Sequence, residues 1–386
     1  MRIAIDITAT PKSKTGIGRY LLGLLRGLQE VDQENEYYLF VHSDDIDGFP
    51  IVNPHFNIVP VRSSILRRTW IRILWEQFVL PFRLRKRKID VLHCPNFTMP
   101  YLARLFCPGL RIVGTFHDMT YFFLPEFHVG WKREMFKDYI RKTAKSADKL
   151  ITISENSKSD IPKYCHPRNP NIQVTCMGVE PRFFHAEKPS QSMLAHYGIK
   201  DPYILYIGTL EPRKNVPGLI AAYRQLPETL IQSYQLVICG KKGWLYDEIF
   251  QMLQETPELL PRIVFTGYVE DDDLPSMIRG ASAFAYVSFY EGFGIPIIEA
   301  MAAEVPTLTS YGSSLEEVAQ DGAILCDPKD PEDIARALTE LLTEQETDRS
   351  AIRVRKGRER AMYYTWQRCA EDTILAYQDA MKAGSV

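Results

Sequence analysis

The chain has 386 residues, enough for two ordinary domains. Its 45% hydrophobic and 24% charged content is that of a globular protein with a sizeable core, and a formal net charge of −2 leaves no global field that would gather nucleic acid. Seven scattered cysteines without a Cys-x-x-Cys pair point to a reducing compartment and away from structural zinc.

Residues 2–7 read as a buried parallel strand, entered directly from Met1 without the pattern of a secretory leader. Thr15-Gly-Ile-Gly-Arg-Tyr20 then opens an amphipathic helix through Leu21, Leu24, Leu25 and Leu28. Gly16 and Gly18 either bring backbone N–H groups close to a ligand or make a plain tight turn; the third glycine of the dinucleotide fingerprint is missing. Apolar runs at 37–41 and 56–61 continue the sheet. The run 67–88 holds eight Arg or Lys among its 22 residues, interleaved with Trp70, Ile71, Leu74, Trp75, Phe78 and Phe82. It suits an anionic membrane surface, or a core-facing helix with a solvated basic back; Trp75 and Phe78 are expected in the core. No stretch approaches the ~20 apolar residues of a membrane span.

Strands are expected at 91–95 and 112–118, and His117 and Asp118 fall just past the carboxyl end of the latter, where open α/β sheets bind ligands. Tyr121, Phe122, Phe123 and Trp131 then cover a cleft or fill core, and Ser154, after a strand at 150–154, is a candidate N-cap. A segment at 171–184 closes the first half, and the polar residues 185–200 suit a linker. The second half restarts the pattern with strands at 203–210, 235–240, 262–269, 283–287, 305–310 and 323–326. Alternating strands and helices in both halves predict an α/β protein with two doubly wound parallel sheets. Their domains would span 1–184 and 201–364, and the chain ends on an amphipathic segment at 365–377.

The chemistry gathers in the second half. Gly208 turns the chain beneath Arg213 and Lys214, whose cations could meet phosphate oxygens. After the strand at 283–287 comes Ser288-Phe-Tyr-Glu-Gly-Phe-Gly-Ile-Pro-Ile-Ile-Glu-Ala-Met301. Gly292 and Gly294 permit a tight turn, Pro296 suits a helix start, and free N–H groups there favour phosphate. Two carboxylates flank the turn: Glu299, suited to a ribose diol, and Glu291, nearer the phosphate. The plain alternative is a strand–helix corner whose acids favour the helix dipole. Asp271-Asp-Asp273 resembles a metal pair but reads as helix-start acids.

Glu-x7-Glu within Glu291-Gly-Phe-Gly-Ile-Pro-Ile-Ile-Glu299 resembles the signature of retaining GT-B glycosyltransferases of the family-4, group 1 type, and the likeness extends over nearly the whole chain. Gly208-Thr-Leu-Glu-Pro-Arg-Lys-Asn215 is similar to a bacterial mannosyltransferase branch of O-antigen and exopolysaccharide assembly. The resemblance implies two Rossmann-like domains facing a central cleft, with Gly16 and Gly18 beside the donor diphosphate and His117 near the donor sugar. It implies roles at the reaction centre for Glu291 and His117, and for Lys214, which matches the family's lysine; Arg213 is expected to stand in for the arginine that the family usually carries. It also implies that a terminal helix within 365–386 crosses back to the first domain. Donor contacts would come from Gly208, Tyr268, Val269, Phe293, Gly294, Ile295 and Glu299. The chain departs from the pattern at Thr209, where many members carry Arg, and at Met177, where Asn is usual.

The expected activity is transfer of a hexose, foremost mannose from GDP-mannose, to a lipid-linked or polysaccharide acceptor. Transfer from a UDP-sugar, and a non-catalytic nucleotide-sugar sensor, are the alternatives. No cofactor and no metal are expected, and no nucleic acid. Residues 67–88 would hold a cytoplasmic, peripheral protein on the inner face of the plasma membrane.

Overall fold

The apolar runs become short strands buried on both faces, the signature of parallel sheets covered by helices. The computed structural model describes residues 1–382 except 13–15, 63, 125–126, 128–129, 201, 244–248, 250–251 and 255–256. Thr15 and the side chain of Trp131 lie outside the described residues. The first sheet collects β1 (Arg2–Asp6), β2 (Glu36–His42), β3 (Phe56–Val61), β4 (Val91–Cys94), β5 (Arg111–Phe116), β6 (Lys149–Thr152) and β7 (Ile172–Val174). Their spatial order is β3-β2-β1-β4-β5-β6-β7. The second collects β8 (Tyr203–Ile207), β9 (Gln235–Cys239), β10 (Ile263–Gly267), β11 (Ala283–Tyr286), β12 (Thr307–Ser310) and β13 (Ile324–Cys326). Its order is β10-β9-β8-β11-β12-β13. Every pairing within both is parallel. This is the α/β, GT-B architecture expected from the sequence.

The chain divides into two compact units, Met1–Gly178 with the segment from Thr365, and Val179–Tyr364. The crossing therefore falls at Gly178 rather than after residue 184. Val179 N–H donates to Tyr364 O at 3.1 Å, and Arg182 donates to Asp271 O at 2.5 Å. With Phe183 fully buried, residues 179–184 are committed to the second unit. The expected linker at 185–200 is likewise part of that unit. Ser190 caps a helix at Gln191–His196, Ile199 is buried, and the Tyr197 hydroxyl donates to Asp273 at 2.7 Å. Two apolar anchors in an otherwise polar stretch suffice to hold it down.

In the first unit, helix α1 (Ile17–Val31) and the terminal helix Trp366–Lys382 pack together. The contact is shaped by glycine. A Cβ at Gly23 would lie 2.1 Å from the Trp366 ring, one at Gly27 would lie 2.2 Å from Trp366 O, and one at Gly178 2.3 Å from Trp366 N. Three glycines, two on one helix and one far along the chain, thus open the slot in which Trp366 sits.

Two helices follow β3: α2 (Thr69–Phe78) and α3 (Leu80–Arg87). Their inner side buries Arg72, Trp75, Glu76, Gln77, Leu80 and Leu84. Arg72 pairs with Glu76 in the interior. Trp75 is core as expected, but Phe78 is not: it is 54% exposed, because it continues the outward line of Trp70 and Leu74 rather than the inward line of Arg72 and Trp75. Ser154 caps the helix Glu155–Cys165 by accepting from Ser157 N–H at 3.1 Å.

Overpacking a close contact costs about 1–3 kcal/mol. Gly23→Ala and Gly27→Ala should each lower the unfolding free energy of the first unit by that order, read as a lower denaturant midpoint. An unchanged midpoint in either variant would mean the Trp366 slot has slack that the contacts deny.

Candidate active site

In the second sheet β8 lies between β9 and β11, so the connections leaving β8 and β11 diverge at their carboxyl ends. Such a switch point is where open α/β sheets bind ligands. Both segments singled out in this half leave from it. After β8, Gly208 N–H donates to Cys239 O at 2.9 Å, and Gly240 N–H donates to Gly267 O at 2.8 Å. A Cβ at Gly240 would lie 1.8 Å from Gly208 O, so only glycine lets these strand ends approach so closely.

The chain continues through Glu211 and one 3-10 turn at Pro212–Lys214 to Asn215, whose backbone is left-handed at φ 54°. The Asn215 amide donates to Val287 O at 3.1 Å and Pro328 O at 2.6 Å, and Phe289 N–H donates to Arg213 O at 3.0 Å. These bonds sew the turn after β8 to the loop after β11. The Ser314 hydroxyl holds that loop from the other side, donating to Glu291 O at 2.7 Å.

Glu291 consequently sits among cations. Its Oε2 accepts from Arg213 Nη1 at 2.5 Å and its Oε1 from Lys214 Nζ at 2.6 Å. The Tyr286 hydroxyl donates to Oε1 at 3.1 Å and accepts from Lys214 at 2.5 Å. Arg213 also reaches Glu211, with Nη2 2.7 Å from Oε1. Burial alone would push the Glu291 carboxyl up, but the charges of Arg213 and Lys214 hold it down at about 2. Burial pulls the Lys214 ammonium below its ordinary value, with Glu291 opposing that shift. Burial, reinforced by the charge of Glu291, lifts the Tyr286 hydroxyl well above its ordinary value, so it remains a neutral donor.

The loop then enters the helix Ile295–Ala302 through Gly294, at φ 109°. A Cβ there would lie 2.6 Å from Leu315 Cδ2. Phe293 is buried, Pro296 occupies the first turn, and Ile295 is half-buried. Glu299, which its place after Pro296 suggested for the first helical turn, falls in the second turn of that helix and is 1% exposed. Beyond β10, Gly267 has φ 71° with open space where a Cβ would stand. Tyr268 is 43% exposed with Lys241 Nζ 4.2 Å from its ring centre, and Val269 is buried.

The first unit holds the remaining expected residues. Gly16, at φ 48°, precedes α1 and has open space beside it, whereas Gly18 is buried in the helix. His117 Nε2 lies 2.8 Å from Pro95 O, so Nε2 carries the proton. Its Nδ1 is buried without a hydrogen-bond partner among the described residues, the ring meets Tyr20 edge-on at 4.8 Å, and burial lowers its pKa, keeping it neutral.

Glu211, Tyr286, Asn215 and Ser314 were not among the residues expected from the sequence. Only Glu211 carried a signal, an acid two positions before Arg213. Among the described residues no group of three His, Cys, Asp or Glu side chains could hold a metal ion. Asp273 accepts from Tyr197, and Asp271 O accepts from Arg182.

Residues 195–358 match the pattern of Glycosyl transferases group 1, and residues 14–183 that of Glycosyltransferase Family 4. O-antigen chain mannosyltransferase B of Escherichia coli is 33% identical over 376 residues, covering 94% of this chain and 96% of that protein. The chain belongs to the family-4, group 1 glycosyltransferases. Among solved structures, sucrose-phosphate synthase from Thermosynechococcus elongatus superimposes with a TM-score of 0.78 at 19% identity, covering 100% of both chains. HepE of Anabaena, in complex with UDP and glucose, gives 0.72 at 16% identity, covering 97% of this chain and 98% of that one. The enzyme is thus a glycosyltransferase, and Glu291 and Glu299 are its Glu-x7-Glu pair.

Removing one partner of a buried ion pair costs about 3–5 kcal/mol, because the other charge stays buried. Glu291→Gln should lower unfolding stability by that order at pH 7. A carboxyl depressed from 4.5 to about 2 contributes stability that is complete above pH 4.5 and is lost as pH falls toward 2. The gap between wild type and variant in urea unfolding should therefore close with acid below pH 4.5; a constant gap would refute the assignment.

Proposed function

We propose that this glycosyltransferase moves mannose from GDP-mannose, with retention of anomeric configuration and without a metal, to a lipid-linked or polysaccharide acceptor. The observation that carries the reading is Glu291 held ionised between Arg213 and Lys214 at the switch point of the second sheet. Mannose is favoured by the E. coli relative, whose name is that of an O-antigen chain mannosyltransferase.

In this reading the bond from the sugar's anomeric carbon to the diphosphate breaks while one to the acceptor oxygen forms on the same face. The acceptor proton passes to a diphosphate oxygen, so no enzyme nucleophile is required. Lys214 uses two of its three N–H groups on Tyr286 and Glu291, leaving the third for the leaving group as its charge grows. Arg213 is spent on Glu211, Glu291 and Tyr290 O and acts mainly by holding Glu291. Glu291 orients sugar hydroxyls. Glu299 takes the ribose, and Tyr268, with the backbone from Gly267 to Val269, meets the base. Gly208, Phe293, Gly294 and Ile295 line the donor.

A UDP-hexose is the second reading, favoured by the UDP and glucose bound to HepE. The acceptor would be met at a membrane: exposed cations of 67–88 hold the enzyme on the anionic inner face of the plasma membrane, in the cytoplasm.

Steady-state assays with GDP-mannose and UDP-hexoses, each with and without EDTA, test this. GDP-mannose should be turned over at an unchanged rate in EDTA, and Lys214→Ala should lower kcat by roughly 100-fold. Turnover only with a UDP-sugar, or only with added divalent metal, would overturn the donor or the metal-free assignment respectively.

A further inference from the structure

Seven of the sixteen exposed large apolar side chains among the described residues fall between positions 65 and 105. Trp70, Leu74 and Phe78 recur every fourth residue and form one stripe along the outside of α2, at 62%, 49% and 54% exposure. The stripe continues through Val79 and Phe82 to Leu105, on the one-turn helix α4 (Ala103–Phe106), whose Phe106 ring lies 4.9 Å from that of Phe82. A set of neighbouring apolar side chains left in the open marks an interaction surface. The opposite side of α2 explains why it cannot turn inward: Arg72, Trp75 and Glu76 are already locked in the interior.

Beside the stripe stand cations with no acid to balance them. Among the described residues no carboxylate lies within ion-pair distance of Arg83, Arg85, Lys86, Arg87 or Lys88, although Arg67 and Arg72 both have partners. The Arg83 and Arg87 guanidinium groups stand over the same Phe40 ring, 6.0 and 5.8 Å from its centre, so two like charges are held side by side. Apolar and cationic groups then share one cavity of about 390 Å³, lined by Phe78, Val79, Phe82, Arg83, Lys86 and Arg87.

These observations select the partner. A two-fold contact with a second copy would set this cationic cluster against itself. A nucleic acid would use the charges and the aromatic rings but would leave Leu74, Val79 and Leu105 in water. An anionic bilayer satisfies both halves, with phosphates on the cations and acyl chains on the stripe.

We infer that the outer edge of α2–α3 is a bilayer-insertion site. Trp70, Leu74, Phe78, Val79 and Phe82 enter the acyl boundary while Arg83, Lys86 and Arg87 hold lipid phosphates. The inference rests on the membrane reading above and changes its character. Attachment through charge alone is released by salt, whereas inserted side chains persist when charges are screened.

The test uses the full chain and vesicles of phosphatidylglycerol and phosphatidylethanolamine. Wild-type protein should co-sediment at low salt and remain in substantial part at about 0.5 M salt, where exposed charge is largely screened. Acyl chains brominated near the headgroup should quench its tryptophan emission, and Trp70→Phe should lose that quenching. Combined Trp70→Ser, Leu74→Ser, Phe78→Ser and Phe82→Ser should weaken partitioning about tenfold or more, with donor turnover and thermal midpoint retained as controls. Complete release of wild type by salt, with binding of the serine variant unchanged at low salt, would overturn insertion while leaving electrostatic attachment standing. Failure of wild type to bind at any salt would overturn the membrane reading itself. A dimer in sedimentation velocity that the serine variant abolishes would assign the stripe to self-association instead.

Discussion

A single buried carboxylate sets the terms for the carboxyl edge of the second unit. Glu291 is 6% exposed, and a charge so placed is tolerable only when opposite charges and hydrogen bonds meet it. Those partners come from two separate connections: Arg213 and Lys214 from the turn after β8, Tyr286 from the end of β11. Each connection is in turn held by bonds that do not touch the carboxylate, chiefly those of Asn215 and Ser314. The cluster of Glu211, Arg213, Lys214 and Glu291 carries two acids and two bases, so it is neutral as a group while presenting separated charges. A site of this kind is preorganised. It can answer charge that develops beside it without the cost of first arranging its dipoles.

The first unit depends on a different device, steric rather than electrostatic. Trp366 begins the helix by which the chain rejoins its N-terminal half, and it fits because Gly23, Gly27 and Gly178 leave their side-chain space to it. Glycine inside a helix is unfavourable by roughly 1 kcal/mol relative to alanine, and α1 carries two such positions on the face turned to Trp366. The close approach of the two helices is the compensation. The same unit turns the Arg72–Glu76 pair of α2 inward, and that choice leaves an apolar stripe outward beside cations that have no carboxylate partner among the described residues.

Much of this was legible in the chain. Short apolar runs closed by glycines and polar residues mark buried parallel strands, and nearly every expected run is a strand. The Glu-Gly-Phe-Gly-Ile-Pro signal marks a strand–turn–helix corner, and the helix does begin at Ile295 after a glycine with positive φ. The family resemblance followed from these local words, because they encode local geometry: which backbone can turn, which residue can start a helix, which acid follows at what spacing.

What the chain alone did not decide was which partners meet and which face turns out. Arg213 and Glu291 are 78 positions apart, and they touch because β8 and β11 are neighbours at the point where strand order reverses. Strand order is a property of the crossovers, not of any one strand's sequence. The Tyr286 hydroxyl looked like part of an apolar strand until the fold set it against Lys214. Residues 185–200 read as linker because their polar content hides the two anchors, Tyr197 and Ile199, that bind them to the second unit. In the stretch 67–88 Trp75 and Phe78 were both expected in the core, and the fold buries Trp75 while leaving Phe78 outside. Periodicity says that a helix has sides; only the interior already formed by its neighbours decides which side is buried.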